Sequence, residues 1–312
     1  MRQINIILAK PRGFCAGVER AIEIVERALK KYPAPIYVHH EIVHNRYVVQ
    51  DLKQRGAIFV DSVEEVPEGE VCIFSAHGVA ERVETGAAKR GLETIDATCP
   101  LVKKVHFAAK RHAKAEREII LIGHKGHPEV VGTSGRVKDK VLLVQNAEEA
   151  RALKVKDPEN LSYITQTTLS VDDTREIIDI LKERFPNIIG PELKDICFAT
   201  QNRQDAVKKL INEVDGLLVI GSQNSSNSNR LRDLGENSGL PSYLVDDPEM
   251  LSNEMFEGVN SLGITAGASA PESLLEQILD WFNVNFDINV KTMEGVDENI
   301  IFKIPEVLKD VS

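Results

Sequence analysis

Gly-Phe-Cys-Ala-Gly (13–17), Asp-Ala-Thr-Cys-Pro (96–100) and Asp-Ile-Cys-Phe-Ala-Thr (195–200) each open a similar run of chain. Their cysteines, Cys15, Cys99 and Cys197, stand 84 and 98 residues apart. After each comes a helix-like run, then an apolar strand with a polar tip, then a second such strand. The first tips carry His44, the His124 to Glu129 stretch and Ser225 to Asn227. The second carry His77, Thr167 and Ser269. Offsets from cysteine to first tip are 29, 28 and 28 residues and to second tip 62, 68 and 72, and an internal repeat sets an architecture before any other feature does. The repeat predicts three related α/β units, each giving one thiol and two polar tips to a shared centre.

Working outward, 18–31, 102–117 and 203–214 place apolar residues at helical spacing with charges opposite. The runs 4–9, 36–38, 71–74, 119–122, 163–164, 217–220 and 262–264 are short, apolar and followed by polar or glycine-containing loops. Such runs alternating with helices predict buried parallel strands in βαβ units. Ligands bind at the carboxyl ends of strands in these sheets, where the polar tips fall. Repeat spacing divides the chain into 17–98, 99–193 and 194–281 joined by 1–16. No Ser/Gly linker separates the units, so tight packing is expected. Residues 271–282 read as a last helix, and the tail 282–312, acidic and strand-like in places, receives no role.

With 312 residues, 42% hydrophobic and 28% charged, the composition is that of an ordinary globular protein. No apolar run is long enough to span a membrane, and the short run 4–9 reads as a first strand, not a signal peptide. A cytoplasmic protein is expected. The net charge of −10 argues against broad nucleic-acid binding, which needs a basic footprint, but not against a small anion. Four cysteines in such a chain argue against a disulfide scaffold.

Three thiolates can bind a zinc ion or hold a [4Fe–4S] cluster by three of its irons. The chain has no C-x-x-C pair, and widely spaced ligands suit a cluster cradled between domains. An open iron position can act as a Lewis acid. A single cysteine is more often a buried core residue, which is how mid-strand Cys72 reads. His44, His77 and His127 occupy tips where another unit carries Ser225, Ser226, Asn227 and Ser269. A place filled by His in one unit and Ser or Asn in another suits neutral donors around one anion better than a metal ligand set. The runs at 225–229 and 268–271 also precede helices, whose first N–H groups favour anions. Their bland reading is helix capping. His124 is read as a support for His127. Glu129 amid these donors makes sense as a proton donor. Thr167 can relay a proton or position a hydroxyl, while strand alternation points Gln166 and Thr168 away.

Read together, Gly-Phe-Cys-Ala-Gly-Val, His-Glu-Ile-Val-His-Asn, Phe-Ser-Ala-His-Gly, Asp-Ala-Thr-Cys-Pro-Leu-Val, Gly-His-Pro-Glu-Val, Thr-Gln-Thr-Thr-Leu-Ser-Val-Asp-Asp, Gly-Ser-Gln-Asn-Ser-Ser-Asn and Thr-Ala-Gly-Ala-Ser-Ala-Pro closely resemble the 4-hydroxy-3-methylbut-2-enyl diphosphate reductase (LytB) family, from about residue 4 to 282. The resemblance implies a pseudo-threefold α/β fold of three domains with parallel sheets around a central iron–sulfur cluster. It implies reductive removal of the substrate hydroxyl to give isopentenyl and dimethylallyl diphosphate, the last step of the non-mevalonate pathway. Carried over, Cys15, Cys99 and Cys197 hold one [4Fe–4S] cluster. His44, His77, His127, Thr167, Ser225, Ser226, Asn227 and Ser269 bind the substrate, and Glu129 with Thr167 delivers the proton. The implied partners are the diphosphate substrate and a ferredoxin or flavodoxin electron donor, with neither nucleic acid nor membrane, and a monomer is expected. Two other classes fit parts of the pattern: a lyase similar to quinolinate synthase, and a cluster-based sensor, which needs no diphosphate pocket.

Overall fold

The computed structural model describes residues 1–138 and 141–311. It opens with β1 (Gln3–Leu8), α1 (Ala16–Lys31), β2 (Ile36–His39), α2 (Arg46–Gln54), β3 (Ala57–Val60), β4 (Val71–Phe74), α3 (Glu81–Lys89) and β5 (Glu93–Asp96). It continues with α4 (Pro100–Lys114), β6 (Glu118–Ile122), α5 (Pro128–Ser134), β7 (Leu142–Val144), α6 (Ala147–Ala152), β8 (Leu161–Thr165) and α7 (Val171–Arg184). Last come α8 (Phe198–Leu210), β9 (Gly216–Ile220), α9 (Ser226–Asn237), β10 (Ser242–Val245), β11 (Ser261–Ala266), α10 (Glu272–Asn285) and β12 (Asp287–Thr292).

The strands form three sheets, of order β10-β9-β11-β1-β12, β3-β2-β4-β5 and β7-β6-β8, and every pairing is parallel. A bridge between Ser162 and Ile189 adds the start of a fourth position beside β8. The repeat is therefore topological: the strand after each cysteine helix lies inside, the next strand lies on one flank, and the third crosses to the other. The order reverses between β9 and β11, between β2 and β4, and between β6 and β8. These are the switch points where open α/β sheets bind ligands, and all the polar tips lie there. The strands β4, β8 and β9 are buried at every residue, as continuous apolar runs demand when both faces are covered.

Two compact units result. One comprises Met1–Glu19, His44–Asp51 and Phe198–Ile301; the other comprises Arg20–Val43, Leu52–Cys197 and Phe302–Ser312. In the first, Phe256 is fully buried against Tyr243, Trp281, Phe282 and Phe286, with ring centroids 4.9–6.3 Å away. Ile4, Ile6, Leu218, Ile264 and Ile278 extend this core. In the second, one cluster gathers on Tyr163, Ile177 and Leu181, and another on Cys72, Phe74 and Val79.

The helices begin earlier than periodicity suggests. The run read as 102–117 starts at Pro100, which suits a first helical position, and that read as 203–214 starts at Phe198 and stops at Leu210. The tail acquires a role that its sequence does not announce. β12 adds a fifth strand beside β1, paired from Gln3 with Asp287 to Leu8 with Thr292. Truncating Phe256 removes the ring that the other four pack on. Phe256→Ala is expected to cost about 3–5 kcal/mol, read from urea unfolding of the iron-free protein; a loss under about 1 kcal/mol contradicts this account of the core.

Candidate active site

The three cysteines occupy one structural position three times. Cys15 ends the loop after β1 and precedes α1, Cys99 caps α4, and Cys197 precedes α8. In each case the cysteine N–H donates to a carbonyl at the tip of the neighbouring switch-point strand: Cys15 to Ala268 (3.1 Å), Cys99 to Ala76 (2.9 Å) and Cys197 to Thr167 (3.0 Å). All three thiols are reduced and partly exposed. Burial pushes the Cys15 thiol up, while the Arg203 guanidinium and the amides of Val18 and Gly17 pull it down. Cys72 is different: fully buried in β4, its thiol is pushed up to about 12, which fits the core role expected of it.

Among the described residues, no three His, Cys, Asp or Glu side chains are arranged to hold a single metal ion. A cluster makes a different demand, one thiolate per iron. Three reduced thiols, one at each helix start, fit that donor set in number and chemistry.

One unit carries Cys15, His44, Ser225, Ser226, Asn227 and Ser269. The Ser225 hydroxyl caps α9, accepting from the Ser228 N–H (3.3 Å) and the Ser228 hydroxyl (3.0 Å). Its own proton stays available to a ligand. Capping and ligand donation are thus compatible here. Asn227 is only 4% exposed, and neither atom of its amide has a partner among the described residues. A buried amide left so is costly unless a ligand or water completes it. Ser228 fits under this loop because Gly221 and Gly267 lack side chains; a Cβ on Gly267 would stand 2.1 Å from its Oγ. The Ser269 hydroxyl donates to the His44 carbonyl (2.8 Å), so it locks the His44 loop and offers a ligand its lone pairs first.

The other unit carries Cys99, Cys197, His77, His127, Glu129 and Thr167. His127 caps α5, its Nδ1 accepting from the Glu129 N–H at 3.2 Å. A neutral ring that accepts at Nδ1 carries its proton on Nε2. His77 packs edge-on against it, ring centroids 5.9 Å apart. The Glu129 carboxyl is 2% exposed and held by Thr167 twice: the backbone N–H donates to Oε1 (2.6 Å) and the hydroxyl to Oε2 (3.0 Å). Burial raises its pKa to about 7 against these two bonds, and Asp195 adds to the rise. A carboxyl poised there can hold a proton at neutral pH and release it. Gln166 does turn from this pair, yet it is buried and useful: its Oε1 accepts from the His124 N–H (3.0 Å) and its Nε2 donates to Thr168 (3.0 Å), fixing the loop that leads to His127.

Arg20, Arg203, Asp195 and Ser228 went unmarked in the sequence reading, though each is at least nine-tenths buried. Their one sequence signal is that Arg20 and Arg203 recur five and six residues after a cysteine.

The family model for LytB protein matches residues 6–283. A 4-hydroxy-3-methylbut-2-enyl diphosphate reductase of Wolbachia pipientis is 54% identical over 98% of this chain and 100% of its own length. The enzyme of the same name from Tolumonas auensis is also 54% identical, over 98% and 100%. The structure of E-1-hydroxy-2-methyl-but-2-enyl-4-diphosphate reductase from Plasmodium falciparum superposes with a TM-score of 0.94 at 38% identity, covering 99% of this chain and 97% of that one.

The raised Glu129 pKa has a consequence for stability. A carboxyl raised from 4.5 to about 7 in the fold favours the folded state fully below pH 4.5, and that contribution is lost as pH rises through 7. Between pH 5 and 8 the iron-free parent should therefore lose about 2–3 kcal/mol more unfolding free energy than Glu129→Gln, whose amide oxygen can accept from the Thr167 N–H and whose NH2 can donate to the Thr167 hydroxyl. Parallel pH profiles for the two proteins would remove the perturbed carboxyl.

Proposed function

The chain belongs to the LytB family, and from that premise we propose that it reduces 4-hydroxy-3-methylbut-2-enyl diphosphate to isopentenyl and dimethylallyl diphosphate, closing the non-mevalonate route to isoprenoids. The observation that carries the chemistry is the buried Glu129 carboxyl, poised near neutrality and gripped by Thr167. The overall change breaks one C–O bond and consumes two electrons and two protons. One proton goes to the departing hydroxyl, which leaves as water, and the other to an allylic carbon.

Cys15, Cys99 and Cys197 are the thiolates that would hold a [4Fe–4S] cluster. When bound, such a cluster supplies one-electron reductions and a Lewis-acidic position. Ser225 and Asn227 supply buried neutral donors to the diphosphate, with Ser226, His44 and Ser269 beside them on the same unit. His77 and His127 are the further diphosphate donors that the family resemblance implies. The α9 N-terminus adds the dipole that favours an anion. Thr167 orients the Glu129 carboxyl toward the substrate hydroxyl, and Glu129 gives it the proton. Burial excludes water from this transfer, which keeps the carboxyl protonated near pH 7. The electrons come from a ferredoxin or flavodoxin, and the protein works in the cytoplasm as a monomer. Among the described residues, no helix is long and apolar enough to cross a membrane.

Anaerobic assay of the reconstituted, chemically reduced protein should yield both products by mass spectrometry, and none without reductant; turnover without reductant points instead to the lyase class. Glu129→Gln should keep its cluster and lose about 10²–10⁴-fold in turnover. In the parent, kcat/KM should fall as pH rises through about 7, because the acid is then deprotonated. Near-parental turnover in the variant takes Glu129 out of the acid role. Cys99→Ser should lose most of its iron, and unchanged iron content defeats that ligand assignment.

A further inference from the structure

Each helix that follows a cysteine carries in its second turn a cation that reaches the backbone leading into a different cysteine; in α4 this is Lys104, while its neighbour Lys103 pairs with Asp96 (2.6 Å). Arg20 of α1 donates through Nη1 to the carbonyls of Ala97 (3.2 Å) and Thr98 (3.3 Å), directly ahead of Cys99. Lys104 of α4 donates to the carbonyl of Lys194 (2.7 Å) and stands 3.5 Å from the Asp195 carboxylate, just ahead of Cys197. Arg203 of α8 donates to the carbonyl of Gly13 through Nε (3.1 Å) and Nη2 (2.7 Å) and to that of Phe14 (3.2 Å), directly ahead of Cys15. The order closes on itself: the helix of Cys15 serves Cys99, that of Cys99 serves Cys197, and that of Cys197 serves Cys15.

The tail backs two of the three. Arg20 Nε donates to the Lys303 carbonyl (2.8 Å), and Arg203 Nη1 pairs with both carboxylate oxygens of Glu298 (3.1 and 3.2 Å). Both guanidiniums are almost fully buried, at 7% and 1% exposure. Buried cations are retained at a cost in desolvation, which calls for a use.

We propose that Arg20, Lys104 and Arg203 are positioning residues for the three thiols, a closed set of clamps that fixes each cysteine loop and sets one positive charge beside it. The proposal rests on the reading of these cysteines as cluster ligands. Partners that orient metal ligands from behind commonly change metal affinity 10- to 100-fold when removed. A fixed cation near a cluster also favours its reduced, more negative state, so its loss lowers the reduction potential.

Lys104 is the decisive position, because its half-exposed side chain is removable without a cavity. On anaerobically reconstituted protein, Lys104→Met should keep the parental circular dichroism, lose iron to a chelator about tenfold faster and titrate at a lower potential. Lys104→Arg should restore both values. Arg20→Lys and Arg203→Lys keep the charge but lose the two-carbonyl grip, so they should release iron faster with little change in potential. Parental iron retention and potential in Lys104→Met, in a parent that loads a cluster, overturns the clamps alone. A parent that takes up no cluster overturns the ligand reading beneath them.

Discussion

The peptide hydrogen bond from each cysteine to the tip of the neighbouring strand is the constraint from which the candidate site follows. It is made three times, at 2.9–3.1 Å, to Ala268, Ala76 and Thr167. The bond does two things at once. It satisfies an N–H that the start of a helix would otherwise leave open, and it pins the thiol beside a switch point of the sheet. Because parallel strands all present their carboxyl ends on the same edge, every polar tip of a sheet stands on the edge where its cysteine is pinned.

Polar burial at these tips costs stability in exchange for binding capacity. The Asn227 amide is withdrawn from water with no partner among the described residues, and the Glu129 carboxyl is withdrawn and held by Thr167. Desolvation of this kind destabilises a fold by some kcal/mol per group. The surrounding core offsets it: buried aliphatic strands, the ring cluster on Phe256 and the closely packed glycines under Ser228. The same withdrawal that costs stability gives Glu129 a proton at neutral pH and leaves Asn227 free to meet an anion.

Much of this was legible from the order of residues. Short apolar runs between helical runs declared parallel strands, since a strand covered on both faces needs no alternation. The threefold recurrence of a cysteine followed by His, Thr, Ser or Asn tips at similar offsets located the tips. What stayed illegible has physical reasons. The strand β12 is mostly exposed, so a strand-like stretch of the acidic tail has no assignable place until β1 offers its edge. Arg20 and Arg203 look like ordinary charges on amphipathic helices, and only tertiary packing turns them inward. The helix over 198–210 carries few apolar residues in its first turns, so its start falls outside the periodic pattern that marks helices.

The sequence by itself determined the fold class, the repeat, the family and the residue types of the candidate site, because hydrophobic period and motif spacing are properties of the chain in order. Tertiary structure alone decided which state those residues take. It raised Glu129 to about 7 through burial, set His127 Nδ1 as the cap of α5, and turned the Ser269 hydroxyl toward His44. Each of these depends on solvent exclusion or on a partner distant in sequence, and neither quantity exists until the chain has folded.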